Sequence, residues 1–549
     1  MVLLSIKSSL ADIQEPFVDI PTFFFDSLRR NNVFTRKDNP RPVFIDSAEV
    51  QPESLTLNEL ETMCTRLASG FYHNAGIRKG DVIAVVLPNS IYYPVVLIAS
   101  LMVGASCTLV NPAYTPRELH HQLKDTQTRH IITTAALCST VTSAVALKST
   151  LDVNYRLLIV DKKCPENNTF PVRTIFEIFD EREYPRLRLT TAEAVASTVA
   201  FIPYSSGTTG HPKGVLLSHR NVVANVLQAV SVSDTHAPDD ASTCVGVLPM
   251  FHSFGLTFLC LIMPYKGVST VVMSRFEMNR FLEIIQEYRI SEVMLVPPII
   301  NAMAKMSDLT GKYDLTSLLS VTVGAAPLSS DTIAVIEGRL PHMRILQGYG
   351  LSEASPAISL NPLASRNTQS IGRLLPSIEA KVLGAEDQLL GHDETGELCF
   401  RGPNIMLGYH NNQSETSRAI DSDGFLRTGD IGYINQQQHV FITDRKKELI
   451  KFNGFQVAPA ELEGLLMQHP LVQDCAVVGI YDKDRQTEVP KAYLVLVGED
   501  SEQNIQIGQK IVKWLNSQVA YFKQLRGGFQ LIDAIPKSAS GKILRRMLK

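Results

Sequence analysis

Tyr204-Ser-Ser-Gly-Thr-Thr-Gly-His-Pro-Lys-Gly214 packs four Ser/Thr hydroxyls, three glycines and one lysine into eleven residues. Gly207, Gly210 and Gly214 allow close approach of the backbone to a ligand, and Ser205, Ser206, Thr208 and Thr209 offer donors to phosphate oxygens. Lys213 supplies the countercharge. The spacing fits neither the Walker pattern, because Pro212 and Lys213 stand where Gly-Lys-Ser/Thr is required, nor a GxGxxG dinucleotide loop. A Ser/Thr/Gly run is by itself more often a solvated turn. Here it follows the apolar run Val195–Ile202, which reads as a buried strand, and precedes the apolar Val215-Leu-Leu217. Linkers rarely lie between core strands, so a phosphate-gripping loop on an α/β scaffold is the better reading.

Four further segments follow in order. They are Gln347-Gly-Tyr-Gly-Leu-Ser-Glu353, Thr428-Gly-Asp-Ile-Gly-Tyr433, Asp444-Arg-Lys-Lys-Glu-Leu-Ile-Lys-Phe-Asn-Gly-Phe-Gln456 and Pro536-Lys-Ser-Ala-Ser-Gly-Lys542. Together with Tyr204–Gly214 they resemble the motifs of the adenylate-forming (ANL) superfamily, which comprises acyl-CoA synthetases, 4-coumarate-CoA ligases, beetle luciferases and adenylation domains of peptide synthetases. The wording is closest to 4-coumarate-CoA ligase-like enzymes. Several ordered motifs separated by domain-scale gaps make coincidence a poor explanation.

Length and composition agree with a soluble multidomain enzyme: 549 residues, 45% hydrophobic and 19% charged. A formal net charge of −3 provides no basic field for nucleic acid. The cysteines at 64, 107, 138, 164, 244, 260, 399 and 475 form no CxxC pair, which argues against zinc and a disulfide framework and for a reducing compartment. The uncharged stretch Val82–Pro116 is divided by Pro88, Asn89, Ser90 and Pro94 into a strand and a buried helix, so no membrane span is expected. Met1–Leu10 lacks the features of a secretory signal. A cytoplasmic location follows; the end Arg545-Arg-Met-Leu-Lys549 is not an S-K-L address, and a peroxisomal one would require a trimmed terminus.

Apolar runs alternate with helical patterns through residues 20–430, the pattern of α/β layers. Phe281, Ile284, Ile285 and Tyr288 recur at helical spacing, and Val293–Val296 then reads as a strand that Pro297-Pro298 terminates. After about residue 445 the texture becomes compact α+β. Pro459 suits a first helical position before Glu461–Gln468, and Cys475–Ile480 and Ala492–Val497 read as strands. Ile511, Val512, Leu515 and Val519 mark one helix face. A large α/β domain at 1–444 and a smaller α+β domain at 445–549 are expected. The resemblance implies that the small domain rotates, with Lys447 at the hinge.

It also implies the chemistry: an organic acid is activated by ATP with magnesium as an acyl-adenylate, then passed to CoA. Lys542, preceded by Gly541 and flanked by Ser538 and Ser540, would be the principal catalytic cation on a mobile loop. Asp430 and Arg445 would hold the ribose hydroxyls. Gln347, Gly348, Tyr349 and Gly350 would hold adenine and the α-phosphate side, with Tyr349 stacking and Ser352 donating to phosphate. Glu353 and Thr208 would be magnesium ligands. Lys451 and Gln456 would face the adenylate during thioester formation, with Asn453, Gly454, Phe455 and, less clearly, Lys266 near CoA.

His252, in Pro249-Met-Phe-His-Ser-Phe-Gly255, would position the carboxylate or help the thiol, although a histidine in an apolar run is more often a satisfied core residue. By the same resemblance Phe254, Gly255, Gly324, Ala325, Ala326, Pro327, Gly348, Tyr349, Gly350, Pro356 and Ala357 line the acyl pocket. That almost uncharged set suits an aryl-propenoic or fatty acid, and no arginine or lysine stands out to pair a second carboxylate. The expected partners are the acid, ATP and CoA, with a monomer or homodimer as the assembly. A free-standing adenylation enzyme serving a carrier protein, a luciferase-like oxygenase and a non-enzymatic nucleotide sensor stay open as alternatives.

Overall fold

The structure is a computed structural model. It describes residues 5–30, 33–36, 40–48, 52–147, 155–164, 171–205, 212–232, 242–306, 308–445, 448–452, 455–483, 485–498, 503–539 and 541–548.

Two large sheets carry most of the chain. The first runs, edge to edge, through Gly408–Tyr409, Lys213–Ser218, Val199–Ser205, Ser106–Leu109, Val82–Val85, His130–Thr133, Arg156–Ile159 and Val172–Thr174. Its strands from Val199–Ser205 onward are parallel and apolar on both faces, as strands covered by crossover helices must be. The helix Tyr92–Met102 is buried almost all round, which explains why Val82–Pro116 carries no charge. Among the described residues no helix is long and apolar enough to cross a membrane.

The second sheet is ordered Arg373–Leu374, Ala357–Leu360, Arg344–Gly350, Ser320–Val323, Glu292–Leu295, Thr243–Gly246, Ser269–Val272, Pro42–Asp46 and Ser54–Thr56, with a parallel centre. A third sheet is antiparallel and includes Leu426–Ile434 and Val440–Arg445, whose register sets Asp430 opposite Arg445. One apolar cluster spans elements of all three sheets.

Two local readings need correction. Val195–Ile202 is not one strand: Thr191 accepts from the Ala194 amide and caps a short helix, Ala192–Ser197, before the strand Val199–Ser205 begins. Pro297 does more than end a strand, because it opens the helix Pro297–Lys305 from a first-turn position where its missing N–H costs nothing. The helix Met278–Glu287 buries Phe281, Ile284 and Ile285 as the spacing predicts.

The C-terminal elements have their own core, built from the helices Pro459–Gln468 and Asn504–Gln518 on the strands Val472–Asp482, Thr487–Leu496 and Phe529–Leu531. They touch the larger body where Lys305 Nζ donates to the carbonyls of Val472 and Gln473 at 2.8 and 2.7 Å.

His219 illustrates how burial couples this fold to pH. Its Nδ1 accepts from the Ile20 amide, and burial pushes the imidazole down to about 4 against a partial counter-pull from Asp19. Between the ordinary value of 6.5 and about 4 only the unfolded chain binds the proton. Stability is therefore present above that window and lost as pH falls through it, by about 3 kcal/mol for this group. Urea midpoints measured at neutral and acid pH should fall accordingly, and less steeply in His219→Gln.

Candidate active site

An apolar cavity and a polar cleft meet at a shared wall. The cavity, partly open to solvent, spans about 430 Å3 of space between Phe254, Phe258, Val323, Gly324, Pro356, Ala357 and Leu360. The cleft is larger, about 1430 Å3, and is lined by Ser205, Lys213, Glu353, Thr428, Asp430, Arg445 and Lys542 among others. His252, Ser253, Ala325, Gly350 and Leu351 line both, so they form the seam.

Each seam residue is held by its element. His252 is the N-cap of the short helix Ser253–Thr257, with Nδ1 accepting from the Phe254 amide at 3.3 Å. In the neutral ring the proton is then on Nε2, which leaves a donor for a ligand. Burial and the nearby Lys542 ammonium push this imidazole down to about 4, so it is neutral at physiological pH. Ala325 adopts φ +72°, a left-handed conformation uncommon for a residue with a Cβ and concentrated at functional sites. Ser253 and Ser352 hydroxyls lie 3.2 Å apart.

Most of the cleft's charged side chains have a partner among the described residues. Asp430 is buried; its Oδ1 meets Arg445 Nε at 3.0 Å and its Oδ2 accepts from the Tyr349 hydroxyl at 2.5 Å. Lys213 is paired with Glu415 and lies 4.7 Å from the Tyr409 ring centroid. Glu353 Oε1 accepts from Tyr409 at 2.9 Å. The Lys542 ammonium has no hydrogen bond or ion pair among the described residues, although the residue lines the cleft. Burial, with Arg445 adding to it, pushes its ammonium down to about 8, against the opposing pull of Glu448, Asp430 and Glu353.

The Lys542 turn is ordered: Ser538 N donates to Lys542 O and Gly541 N to Ser538 O, both at 2.8 Å, closing a bridge from Lys537 to Ile543. Gly541 has φ +81° and lies against Val296 and Pro298 of the larger body, so a side chain there would strain the turn.

Several expected residues stand elsewhere. Tyr349 does not face the cleft; its ring lines the apolar cavity and its hydroxyl, kept protonated by burial and Asp430, buttresses the carboxylate. Gln347 is buried and lines neither space, because its amide holds Leu328 N at 3.4 Å and Thr368 O at 2.8 Å. Gly348, expected at both the nucleotide and the acyl pocket, lines the cavity and not the cleft. Ala326 and Pro327 line neither space, and Pro327 points to solvent. Gly255 packs on Pro249, whose carbonyl oxygen would be 2.1 Å from any Cβ there.

Lys266 is corrected most sharply. It is only 9% exposed and bidentate on Glu292, so it offers no surface cation to a CoA phosphate. Lys451 and Phe455 lie on the hairpin Ile450–Phe452/Phe455–Val457, where Lys451 is exposed and Phe455 stacks on Phe522 at 4.5 Å; neither lines the cleft. Ser206, Gly207, Thr208, Thr209, Gly210, Lys447, Asn453, Gly454 and Ser540 fall outside the described residues, as does the side chain of Gln456.

Tyr409, Phe258, Thr322 and Leu360 were not foreseen. Tyr409 reaches the cleft only because Gly408–Tyr409 pairs with Val215 and Leu216, a contact with no local sequence signal. Phe258 carried one, lying four residues after Phe254 on the same helix face, where the rings meet edge-on at 5.0 Å.

The cleft suits a nucleotide with its metal. Among the described residues Ser205 Oγ is buried without a hydrogen-bond partner and the Lys542 ammonium is unpaired, while Asp430 retains lone pairs for a diol.

Comparison with known proteins agrees. A family model described as AMP-binding enzyme matches residues 32–410, and one for the AMP-binding enzyme C-terminal domain matches 461–542. The chain is 41% identical over 488 residues to a Dictyostelium discoideum protein named "Probable 4-coumarate–CoA ligase 1", covering 86% of each. It is 37% identical to 4-coumarate–CoA ligase 3 of Arabidopsis thaliana, covering 99% of this chain and 93% of that one. Among solved structures, the anthranilate CoA ligase AuaEII with anthranoyl-AMP aligns at TM-score 0.81 and 21% identity over 96% of both chains. O-succinylbenzoate coenzyme A synthetase of Bacillus subtilis with ATP and magnesium aligns at 0.76 and 23% identity, over 96% of this chain and 98% of that one. Family models matched across most of its length, with relatives at 37% and 41% identity, identify this chain as a member of the AMP-binding enzymes of the adenylate-forming superfamily.

Proposed function

We propose that the protein is an AMP-forming acid–thiol ligase that converts an apolar aryl-propenoic or fatty acid to its CoA thioester. The observation that carries this reading is the seam: an apolar cavity opens through His252 and Ala325 onto a polar cleft that holds an unpaired ammonium. A carboxylate whose tail fills the cavity has its oxygens at that seam.

Two anions meet in the first step, so neutralisation and alignment dominate catalysis. A carboxylate oxygen attacks the α-phosphorus of ATP, and the bond to pyrophosphate breaks. Lys542 bridges the carboxylate and the α-phosphate, His252 Nε2–H orients the acid, and Asp430 with Arg445 binds the ribose. Lys213 exchanges Glu415 for phosphate. Magnesium, when bound, neutralises pyrophosphate charge, and Glu353 with Thr208 would hold it; few protein ligands are needed where phosphate oxygens complete the shell.

In the second step the CoA sulfur attacks the acyl carbon, AMP leaves with the electron pair, and the thiol proton passes to solvent. The family motif puts Lys451 and Gln456 at the adenylate after the segment beyond Asp444 has rotated about Lys447. Domains at 1–444 and 445–549 fit that motion. A single-body enzyme would require the Lys451 hairpin and Lys542 to reach the cleft together, and here only Lys542 lines it.

A panel of cinnamates and fatty acids of increasing length, offered with ATP, magnesium and CoA, should give acid-dependent pyrophosphate release and a thioester detectable by mass. Adenylate that accumulates without thioester would instead favour a carrier-dependent enzyme, and light emission with oxygen a luciferase-like one.

A further inference from the structure

Phe258, Thr322 and Leu360 have a second side. Beyond them lies another space, about 640 Å3, which extends past Met294 and Leu346 to Lys266 and Glu292. Strand register makes the two spaces one line. Met294 pairs with Thr322 and Thr322 with Leu346, while Glu292 pairs with Ser320. Side chains two residues apart share a face of a strand, so Gly324, Thr322 and Ser320 stand in file from the acyl cavity to the charged end. Four residues of strand span about 13 Å, a length that roughly ten methylenes cover.

The partition is one layer of side chains. Gly348 has no Cβ, and Leu360 occupies the room, with its Cδ2 2.5 Å from where a Cβ would stand. Phe258 opens a π-helical turn, Phe258–Ile262, of the kind frequent at functional sites, and both ends of that turn face the second space.

At the far end Lys266 Nζ donates to both Glu292 oxygens at 2.7 and 2.8 Å, with the side chains 6% and 13% exposed. A buried ion pair adds little stability over apolar residues of similar size. This one keeps an ammonium donor and carboxylate lone pairs for a ligand. A hydroxyl, both donor and acceptor, complements it. A second carboxylate would meet the Glu292 charge.

We propose that the acyl cavity continues past Phe258 into this second space, and that Lys266 and Glu292 there select long-chain acids bearing a terminal hydroxyl. This rests on the reading that the enzyme activates apolar acids. The test compares kcat/KM for an ω-hydroxy acid of about twelve carbons with that of the unsubstituted and the dicarboxylic acid of equal length. The hydroxy acid should lead the unsubstituted one by between about tenfold and a hundredfold, the range for a hydrogen bond to a charged group. Lys266→Met alone leaves Glu292 buried and uncompensated and is at risk of misfolding, so the variant of choice is Lys266→Met/Glu292→Leu. There the preference should vanish. Equal rates for hydroxy and unsubstituted acids in the wild-type enzyme, a preference for the dicarboxylic acid, or an unchanged ratio in the folded double variant would overturn the proposal. Cinnamates and unsubstituted fatty acids of several lengths run alongside separate the two readings, because failure of every acid to release pyrophosphate would refute the ligase assignment itself.

Discussion

Lys542→Ala is expected to slow acid-dependent pyrophosphate exchange by about a thousandfold, the scale on which removing a preorganised charge-stabilising group acts. Thioester formation from a supplied acyl-adenylate should change by no more than about threefold, because that step makes no use of a cation between carboxylate and phosphate. Equal loss in both half-reactions would refute the role. The same ammonium predicts an alkaline limb. Burial and Arg445 hold it down to about 8, so kcat/KM for ATP should fall as pH rises through that value and Lys542 loses its proton. Lys542→Arg should lack this limb, since guanidinium stays charged. Bound phosphate favours the ammonium, so ATP binding above about pH 8 should be accompanied by proton uptake. Titration calorimetry in buffers of different ionisation heat measures it directly.

Much of this site was legible in the sequence because its chemistry is local. Thr428-Gly-Asp430 and Asp444-Arg445 each contain a residue that lines the cleft, and the antiparallel register that sets Asp430 opposite Arg445 needs only a hairpin. The small-residue segments at Gly324 and Gly348–Gly350 likewise lie where an acyl pocket needs open floor. What escaped was set by contacts between distant segments. Lys266 follows a long apolar run, and nothing local announces that Glu292, on a strand across the sheet, will take its charge. The hydroxyl of Tyr349 donates to Asp430 while its ring lines the apolar cavity, a bond between two motifs that neither one announces. Val195–Ile202 failed for another reason: an apolar run too short to show a period reads alike as strand or helix, and the Thr191 cap decides between them.

Asp430→Asn should have the second largest effect, lowering kcat/KM for ATP by about a hundredfold to a thousandfold. Three losses add there. The amide offers one acceptor oxygen instead of two to the ribose diol. Arg445 is left as a partly buried cation with its ion-pair carboxylate removed, at 3.0 Å in the native pair. The Tyr349 hydroxyl, now 2.5 Å from Oδ2, must compete for the one oxygen that remains. Because the substitution preserves shape, KM for the acid should stay within about twofold, which separates a nucleotide defect from collapse of the pocket. The charge carries a further consequence that a purely structural role would not. Asp430 pulls the Lys542 ammonium upward and Arg445 pushes it down, so removing the carboxylate strengthens the net downward push. The alkaline limb of residual adenylation should therefore move below about pH 8 in Asp430→Asn and above it in Arg445→Gln. Limbs that stay fixed in both variants would mean that Lys542 does not share the cleft with this pair during turnover.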